Sequence, residues 1–423
     1  MKILIVNALD NQGGAARAAY RLHQSLLDQG INSQMLVQSK SSDDYTIIGP
    51  ITKLQKRLAK IRPTLDSIPL VFYRQRTQTL FSPSWFPFGG IVDKINKINP
   101  DIVHLHWICG GMMRIEDIPK IKAPVVWTLH DMWGFTGGCH YNEGCEGYKI
   151  QCGNCKVLGS VRRKDLSNRV YNRKQKAYKS KKDMTIVGLS KWINECAKKS
   201  SLLKDKKHIN LPNPLDTTVF KPFNKQKARE LWNLPQEKKL VLFGAMSATS
   251  DPRKGFKELT EALQRLDKKL DIEFVVFGSS KPQNAPDFGF KTHYLGHLYD
   301  DVSLVTLYSA VDVMVVPSLQ EAFGQTASES MACGKPVVAF GTTGLLDIVD
   351  HKVNGYLAKP FDIIDLKNGI EWVLNAPNYQ KLSQNAREKV VREFDSKIVA
   401  KKYIDLYREI LNGNDSLTKT ADN

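Results

Sequence analysis

No stretch of the chain comes near the roughly 18 consecutive apolar residues that span a bilayer, so no transmembrane helix is expected. The opening MKILIVNALD is likewise too short an apolar run for a signal peptide, and it suits a first buried strand. Cysteine is scarce, at seven in 423 residues. These features place the protein in the cytoplasm, where thiols stay reduced unless a metal holds them. There is no GxGxxG, which removes the dinucleotide fingerprint, and no repeat short enough to build a solenoid. Acid is the last shortage, and it is local. Residues 1 to 210 hold 16 Asp+Glu against 34 Lys+Arg, whereas residues 211 to 423 hold 27 of each. The net charge of +18 therefore lies wholly in the first half and points to an anionic partner there: a membrane surface, a phosphorylated substrate or nucleic acid. Aromatic and basic residues form no RNA-binding or helix-turn-helix motif, so nucleic acid is the weakest of the three.

What the sequence has is alternation. With 42% hydrophobic and 25% charged residues it is globular, and its length suits two or three domains. Short runs rich in Ile, Val and Phe recur between helical periods. In the first half they are KILIVN, SQMLVQ, DIVHLHW, PVVWTLH and TIVGLS; in the second, KLVLFGA, EFVVFGSS, HYLGHL, VDVMVVPS and PVVAFG. Such runs indicate parallel sheets wound on both faces by helices, hence an α/β protein of two Rossmann-like domains, with ligands at the carboxyl ends of strands in the cleft between them. Prolines in residues 208–225 mark the boundary, giving domains 1–208 and 209–392. The helix at 396–411 is expected to pack back on the first domain.

Chemistry concentrates in PSLQEAFGQTASESMACGKPVVAF, residues 317–340. Pro317 ends a strand, Glu321 falls in the loop beyond it, and Glu329 lies one to two turns into the helix that opens after Gly324. Two carboxylates so placed can face one pocket. A carboxylate accepts hydrogen bonds from adjacent sugar hydroxyls, and free N–H groups near Phe323 and Gly324 favour oxygen or phosphate. Acidic pairs at this spacing are also common on plain surfaces. Arg253 and Lys254 precede another helix, supplying cations and a dipole for an anion; the bland alternative is a solvated basic turn. Gly13 and Gly14 precede the first long helix, where the missing Cβ lets the backbone approach a bound group, although a glycine pair is usually only a turn. His104, His106 and His130 with Asp131 follow strand ends, where histidine more often serves structure.

The segment 317–339, together with DPRKGF (251–256), the segment 294–318 and NGYLA (354–358), resembles the carboxyl-terminal domain of glycosyltransferase family 4. That family consists of retaining nucleotide-sugar enzymes of the GT-B fold, many in bacterial surface-polysaccharide synthesis. Through the Gly13–Gly14 loop, DIVHLHW and WTLHD the resemblance covers nearly the whole chain. It implies that Glu321 binds donor-sugar hydroxyls with the amides of Ala322, Phe323 and Gly324, and that Glu329 holds the ribose. It implies further that Lys254, with Arg253, neutralises the diphosphate, that Gly13 and Gly14 close over the phosphates, and that His130 contacts the sugar. His104, His106 and Asp131 remain acceptor candidates. The departing phosphate itself would take the acceptor proton, so no cofactor is required for catalysis. Two departures from the family pattern are Ala245, where an arginine is usual after Gly244, and TTGLLDIV, with Asp347 in the acidic position. A nucleotide-sugar epimerase or phosphorylase on the same scaffold, or a zinc-containing basic nucleic-acid binder, are the alternatives.

Two further segments are suggestive. Cys139, Cys145, Cys152 and Cys155 fall in one loop with spacings x5, x6 and x2, and thiolates so close can complete a structural zinc site, with His140 as a substitute ligand. In residues 51–61, Ile51, Leu54, Leu58 and Ile61 share a helical face with Lys53, Lys56, Arg57 and Lys60 around it. A stripe of this kind ordinarily packs on its own domain. The aromatic stretch 68–88 and the basic run 156–182, with eleven Lys+Arg and one Asp, turn the expectation toward an anionic membrane surface at the cytoplasmic face and a saccharide or lipid-linked acceptor.

Overall fold

The computed structural model describes residues 1–86, 90–244, 250–281 and 286–419, with side chains as far as Gly413. Ala245 lies outside the described residues, as do Pro87 and Phe88 of the aromatic stretch. The chain divides into two units, Met1–Pro212 with Val399–Asn423, and Asn213–Ile398.

The first unit carries strands β1 (Lys2–Leu9), β2 (Asn32–Ser39), β3 (Ile47–Ile48), β4 (Ile102–Leu105), β5 (Val125–Leu129), β6 (Met184–Gly188) and β7 (Lys207–Asn210). They pair in parallel in the order β3-β2-β1-β4-β5-β6-β7. Strands β4, β5 and β6 are buried at every position, as in a parallel sheet covered on both faces, which is why they read as mainly apolar runs broken by His104, Thr128 and Thr185. The helices between are α1 (Gly14–Asp28), α2 (Lys53–Ser67), α3 (Ile91–Ile98), α4 (Leu166–Ser180) and α5 (Lys191–Lys199). Local chemistry starts most of them: Thr52 and Gln55 form a capping box on α2, Asp165 caps Asn168 N of α4, and Ser190 caps Ile193 N of α5.

The second unit carries β8 (Lys239–Gly244), β9 (Ile272–Phe277), β10 (Thr292–Tyr294), β11 (Val313–Val316), β12 (Val337–Phe340) and β13 (Gly355–Ala358). Their order, β10-β9-β8-β11-β12-β13, is also wholly parallel. Its helices are α6 (Lys225–Leu231), α7 (Phe256–Gln264), α8 (Asp301–Ala310), α9 (Gln325–Ala332), α10 (Ile363–Leu374) and α11 (Tyr379–Glu393). The last helix, α12 (Ser396–Lys419), sends Val399, Tyr403, Leu406 and Tyr407 into the apolar core of the first unit.

Every apolar run quoted from the sequence contributes a strand, although HYLGHL keeps only its first two residues in β10, since Gly296 turns to φ 69° and bridges to Ser279. The short β3, β7 and β13 were not expected. The stripe on α2 departs furthest from ordinary packing: only Ala59 and Asp66 of that helix are buried.

Candidate functional site

In each unit the strand order reverses direction beside its first strand, between β1 and β4 and between β8 and β11. Ligands of open parallel sheets bind outside the carboxyl ends of strands at such reversals. The second unit builds its reversal from the exit of β11 and the turn Pro252–Lys254 before α7. Gly255 makes this close approach possible: it sits at φ 71°, and a Cβ there would lie 1.9 Å from Pro317 O. Leu319 N then donates to Arg253 O at 2.8 Å, zipping turn and loop together.

The zipper brings Lys254 Nζ to 2.5 Å from Glu321 Oε1. Ser318 Oγ donates to the same oxygen at 3.0 Å. Burial alone would push the Glu321 carboxyl up, but the charge and hydrogen bond of Lys254, with help from Arg253 and Ser318, hold it below its ordinary value. Arg253 reaches Asp251 Oδ2 at 2.5 Å and Gln320 O at 3.4 Å. The backbone of Glu321 is clamped by the TTGLLD loop, through Glu321 N to Thr343 Oγ1 and Gly344 N to Glu321 O, both at 3.0 Å. Asp347 ends that loop half-buried. Gly324, at φ 110°, is the amino-terminal cap of α9, and Ala322 and Phe323 beside it are buried.

Glu329 is held differently. It lies on α9, 3% exposed, and Tyr308 of α8 donates its hydroxyl to Oε2 at 2.9 Å. Neither Tyr308, Ser318 nor Thr343 was singled out in the sequence, since a lone hydroxyl carries no local pattern.

In the first unit, Gly13 takes φ 96° as the cap of α1. Asp10, also overlooked, is 1% exposed and accepts from Ser41 N, Ser42 N and Ser41 Oγ at 2.7–2.9 Å. Burial raises its carboxyl, and those donors more than reverse the effect. Across the reversal, His106 Nδ1 lies 2.8 Å from His130 Nε2, with the rings stacked at 5.1 Å. Burial pushes His130 down to about 4, against the pull of Asp131, and pushes His106 well below its ordinary value. Among the described residues His106 Nε2 is buried without a partner.

The remaining candidates separate from this pair. His104 is fully buried with Nδ1 on Tyr407 Oη and Nε2 on Thr128 Oγ1, both at 2.7 Å. Neither nitrogen is left for an acceptor, so the expectation for His104 is corrected to a strut between β4 and α12. Asp131 accepts from Trp133 N at 2.8 Å, Trp107 Nε1 at 3.1 Å and His140 Nδ1 at 2.6 Å, and so anchors its own loop. His140 spends its other nitrogen on Ser82 Oγ at 2.9 Å, which removes it as a substitute metal ligand. The four loop cysteines are free thiols. Among the described residues no three His, Cys, Asp or Glu side chains gather as a metal site. Gly137 N donates to Cys152 Sγ and Gly147 N to Cys145 Sγ, while burial raises the Cys152 thiol to about 12. A neighbour is more telling. Lys174, fully buried, donates to Trp133 O and Thr136 O, sits 3.6 Å over the Trp133 ring, and is pushed down to about 7 by burial. It locks the loop that follows His130, although the sequence showed it only as one cation in a basic run.

Residues 224–389 match the family described as glycosyl transferases group 1. Over 437 aligned residues the chain is 22% identical to a putative colanic acid biosynthesis glycosyl transferase, WcaC, of Escherichia coli, covering 97% of this chain and 100% of that protein. An uncharacterized glycosyltransferase of Methanocaldococcus jannaschii is 29% identical, with 41% of this chain and 45% of that one covered. The N,N'-diacetylbacillosaminyl-diphospho-undecaprenol alpha-1,3-N-acetylgalactosaminyltransferase of Campylobacter jejuni is 28% identical over 44% of this chain and 49% of its own. The match thus spans about half of the latter two relatives and the full length of the first. Among solved structures, sucrose-phosphate synthase of Thermosynechococcus elongatus superposes with TM-score 0.67 at 19% identity, covering 98% and 100% of the two chains. WaaG, a glycosyltransferase involved in lipopolysaccharide biosynthesis, gives 0.64 at 17%, covering 96% and 99%. The expected GT-B fold class is borne out by these neighbours and by two parallel α/β units.

Proposed function

We infer, from the match of residues 224–389 to the family of glycosyl transferases group 1, that the chain moves a sugar from a nucleotide diphosphate sugar to a hydroxyl with retention at the anomeric carbon, as in glycosyltransferase family 4. The observation that carries this reading is the Lys254–Glu321 pair at the strand reversal of that unit. Lys254 keeps Glu321 ionised, and an ionised carboxylate accepts from two adjacent sugar hydroxyls at once. The same lysine, with Arg253, supplies positive charge where a departing diphosphate gains negative charge, aided by amides of Ala322, Phe323 and Gly324 ahead of α9. Glu329, oriented by Tyr308, takes the ribose.

In the first unit Gly13 and Gly14 approach the phosphates, and His130 meets the sugar as a neutral hydrogen-bonding group. A histidine pushed down to about 4 is a poor proton donor at neutral pH, which suits a route where the leaving phosphate takes the acceptor proton. The acceptor is a lipid-linked saccharide in polysaccharide synthesis, met at the cytoplasmic face of the membrane. The polysaccharide role of the Escherichia relative and the undecaprenol-linked substrate named for the Campylobacter relative support this. Among the described residues no helix is long and apolar enough to cross a membrane.

Radiolabelled UDP-, GDP- and ADP-sugars, offered with a membrane lipid extract, test the reading. Transfer of label to lipid, with the donor's anomeric configuration in the product, is expected. A new free nucleotide sugar would mark an epimerase, and phosphate-dependent release of a sugar phosphate a phosphorylase; either result would overturn it.

A further inference from the structure

Three segments far apart in the sequence form one surface of the first unit. In α2 and just before it, Ile51 is 84% exposed and Leu54 67%, with Leu58 and Ile61 following. In the 3-10 turn Ile68–Phe72 that continues α2, Val71 is 71% and Phe72 84% exposed. Such side chains stand in water only at a cost, and a contiguous group of them marks an interaction site. Between them Lys53, Lys56, Arg57 and Lys60 are also exposed, and among the described residues none has an ion-pair partner.

The neighbouring segments are tied to this helix by specific hydrogen bonds. Asp66, on the buried side of α2, accepts from Ser84 N at 3.3 Å and Trp85 N at 3.0 Å, while Trp85 Nε1 donates to Asp66 O. That fixes exposed Trp85 beside the helix. On the other side Leu166 N donates to Tyr73 Oη at 2.8 Å and Thr77 N to Val157 O at 2.9 Å. Gly159 lies so close to Gln75 that a Cβ would be 2.6 Å from its carbonyl. These contacts hold the 156–164 loop, in which Val161, Arg162, Arg163 and Lys164 are exposed, beside the segment 73–77, in which Arg74 and Arg76 are exposed.

We propose that this composite face, α2 with the Ile68–Phe72 turn, the Trp85 loop and the 156–164 loop, docks on an anionic lipid bilayer. Its cations meet the headgroups and its Ile, Leu, Val, Phe and Trp side chains enter the interface. Charge complementarity selects the anionic lipid, and the interleaved apolar side chains select a bilayer over nucleic acid, which has no acyl layer to receive Phe72 or Ile51. The face of α2 buries only Ala59 and Asp66 because its apolar stripe is kept for this contact. The inference deepens the lipid-linked acceptor proposed above and rests on it for purpose, but its test involves no sugar transfer.

Sedimentation with vesicles of equal parts phosphatidylglycerol and phosphatidylcholine should carry the full chain down at low salt and release it at high salt. Changing Lys53, Lys56, Arg57 and Lys60 together to Ser should lower partitioning at least about tenfold. Changing Ile51, Leu54 and Phe72 to Ser should lower it with the cations intact. Both variants should keep the wild-type melting temperature and the wild-type rate of donor-sugar hydrolysis in solution. Equal binding to pure phosphatidylcholine, no binding at low salt, or loss of vesicle binding only when duplex DNA competes would overturn the proposal. Vesicle binding without any transferase activity would leave this surface standing and overturn the enzyme reading alone.

Discussion

The two units wind six strands in the same order, the first adding β7 at one edge, yet they arm the same end of the sheet in opposite ways. The second, with no net charge in its half of the sequence, sets an ion pair, Lys254 with Glu321, at its strand reversal. The first, whose half of the sequence carries the whole +18, sets a neutral pair there, His106 with His130. Charge at the surface and charge at the site are thus independent choices. In the proposed reaction a diphosphate leaving group needs fixed positive charge, which Lys254 and Arg253 of the second unit would supply. In the same proposal a sugar hydroxyl needs direction without charge, which imidazoles kept neutral by burial would supply.

Acid should break the comparison with the largest effect. His23, His104 and His130 are pushed down to about 4, 3 and 4 by burial, and His106 falls well below its ordinary value. Their folded values lie below the unfolded 6.5, so below pH 6.5 the unfolded chain binds more protons and stability is lost as the pH is lowered. Each histidine withdraws about 1.4 kcal/mol per pH unit on the way down. In the second unit the Glu321 carboxyl is held below its ordinary value, so that contribution is lost only at lower pH. Calorimetry should show the first unit melting well before the second at about pH 5, and both closer together above pH 7. A melting profile unchanged between those conditions would defeat the argument.

Next in size is Lys254→Ala, expected to lower turnover by about 100- to 1,000-fold because charge at the leaving group is lost. The same change removes what holds Glu321 down, so burial takes over and its pKa rises. The acid limb of the pH–rate profile should therefore move to higher pH, which a purely structural lysine would not cause. Lys254→Arg should recover part of the rate. The matching change in the neutral pair, His130→Ala, should cost only about tenfold, the worth of an ordinary hydrogen bond. Equal losses in the two units would erase the distinction between a charged and a neutral site.

The fold was legible because a parallel sheet covered on both faces writes its strands as apolar runs, and those runs became strands in both units. The candidate site was legible where a strand exit and a helix start fall within a few residues, as around Glu321. It was not legible where partners come from distant segments. Nothing local ties Tyr308 to Glu329 or Ser318 to Lys254; the close approach of Gly255 to Pro317 and the Leu319–Arg253 backbone bond bring the last two into one cluster. Composition misled in a specific way: Lys174 and Lys181 belong to the basic run 156–182 but are buried, donating to the carbonyls of Trp133 and Thr136 and of Ile121 and Ala123. Conversely the apolar stripe of 51–61, which ordinary packing would hide, is on the surface.

A smaller effect separates the two carboxylates. Tyr308→Phe removes the hydroxyl that orients Glu329 while keeping the buried ring, and should raise the donor KM about two- to tenfold with little change in turnover. Glu321→Gln should instead lower turnover, about ten- to hundredfold. Initial-rate kinetics distinguish the two; a turnover loss in Tyr308→Phe would mean that Glu329 acts on the reacting sugar rather than on the ribose.

The smallest effect concerns which nitrogen of His130 carries its proton. One hydrogen bond joins His106 Nδ1 to His130 Nε2, and His106 Nε2 is buried without a partner among the described residues. A buried N–H left unpaired is rarer and costlier than a buried lone pair left unpaired. The proton of His106 therefore belongs on Nδ1, donated to His130 Nε2, and the proton of His130 is driven to Nδ1, where it becomes a donor. Nitrogen-15 shifts of the full chain should show His130 with a pyrrole-like Nδ1 and a pyridine-like Nε2. His106→Phe keeps the ring volume, removes the unpaired nitrogen and frees His130 to exchange tautomers. Stability should hold or rise slightly while kcat/KM falls about two- to tenfold, the range of one neutral hydrogen bond. A drop in melting temperature together with unchanged kinetics would make His106 a packing residue and leave the orientation of His130 to its own loop.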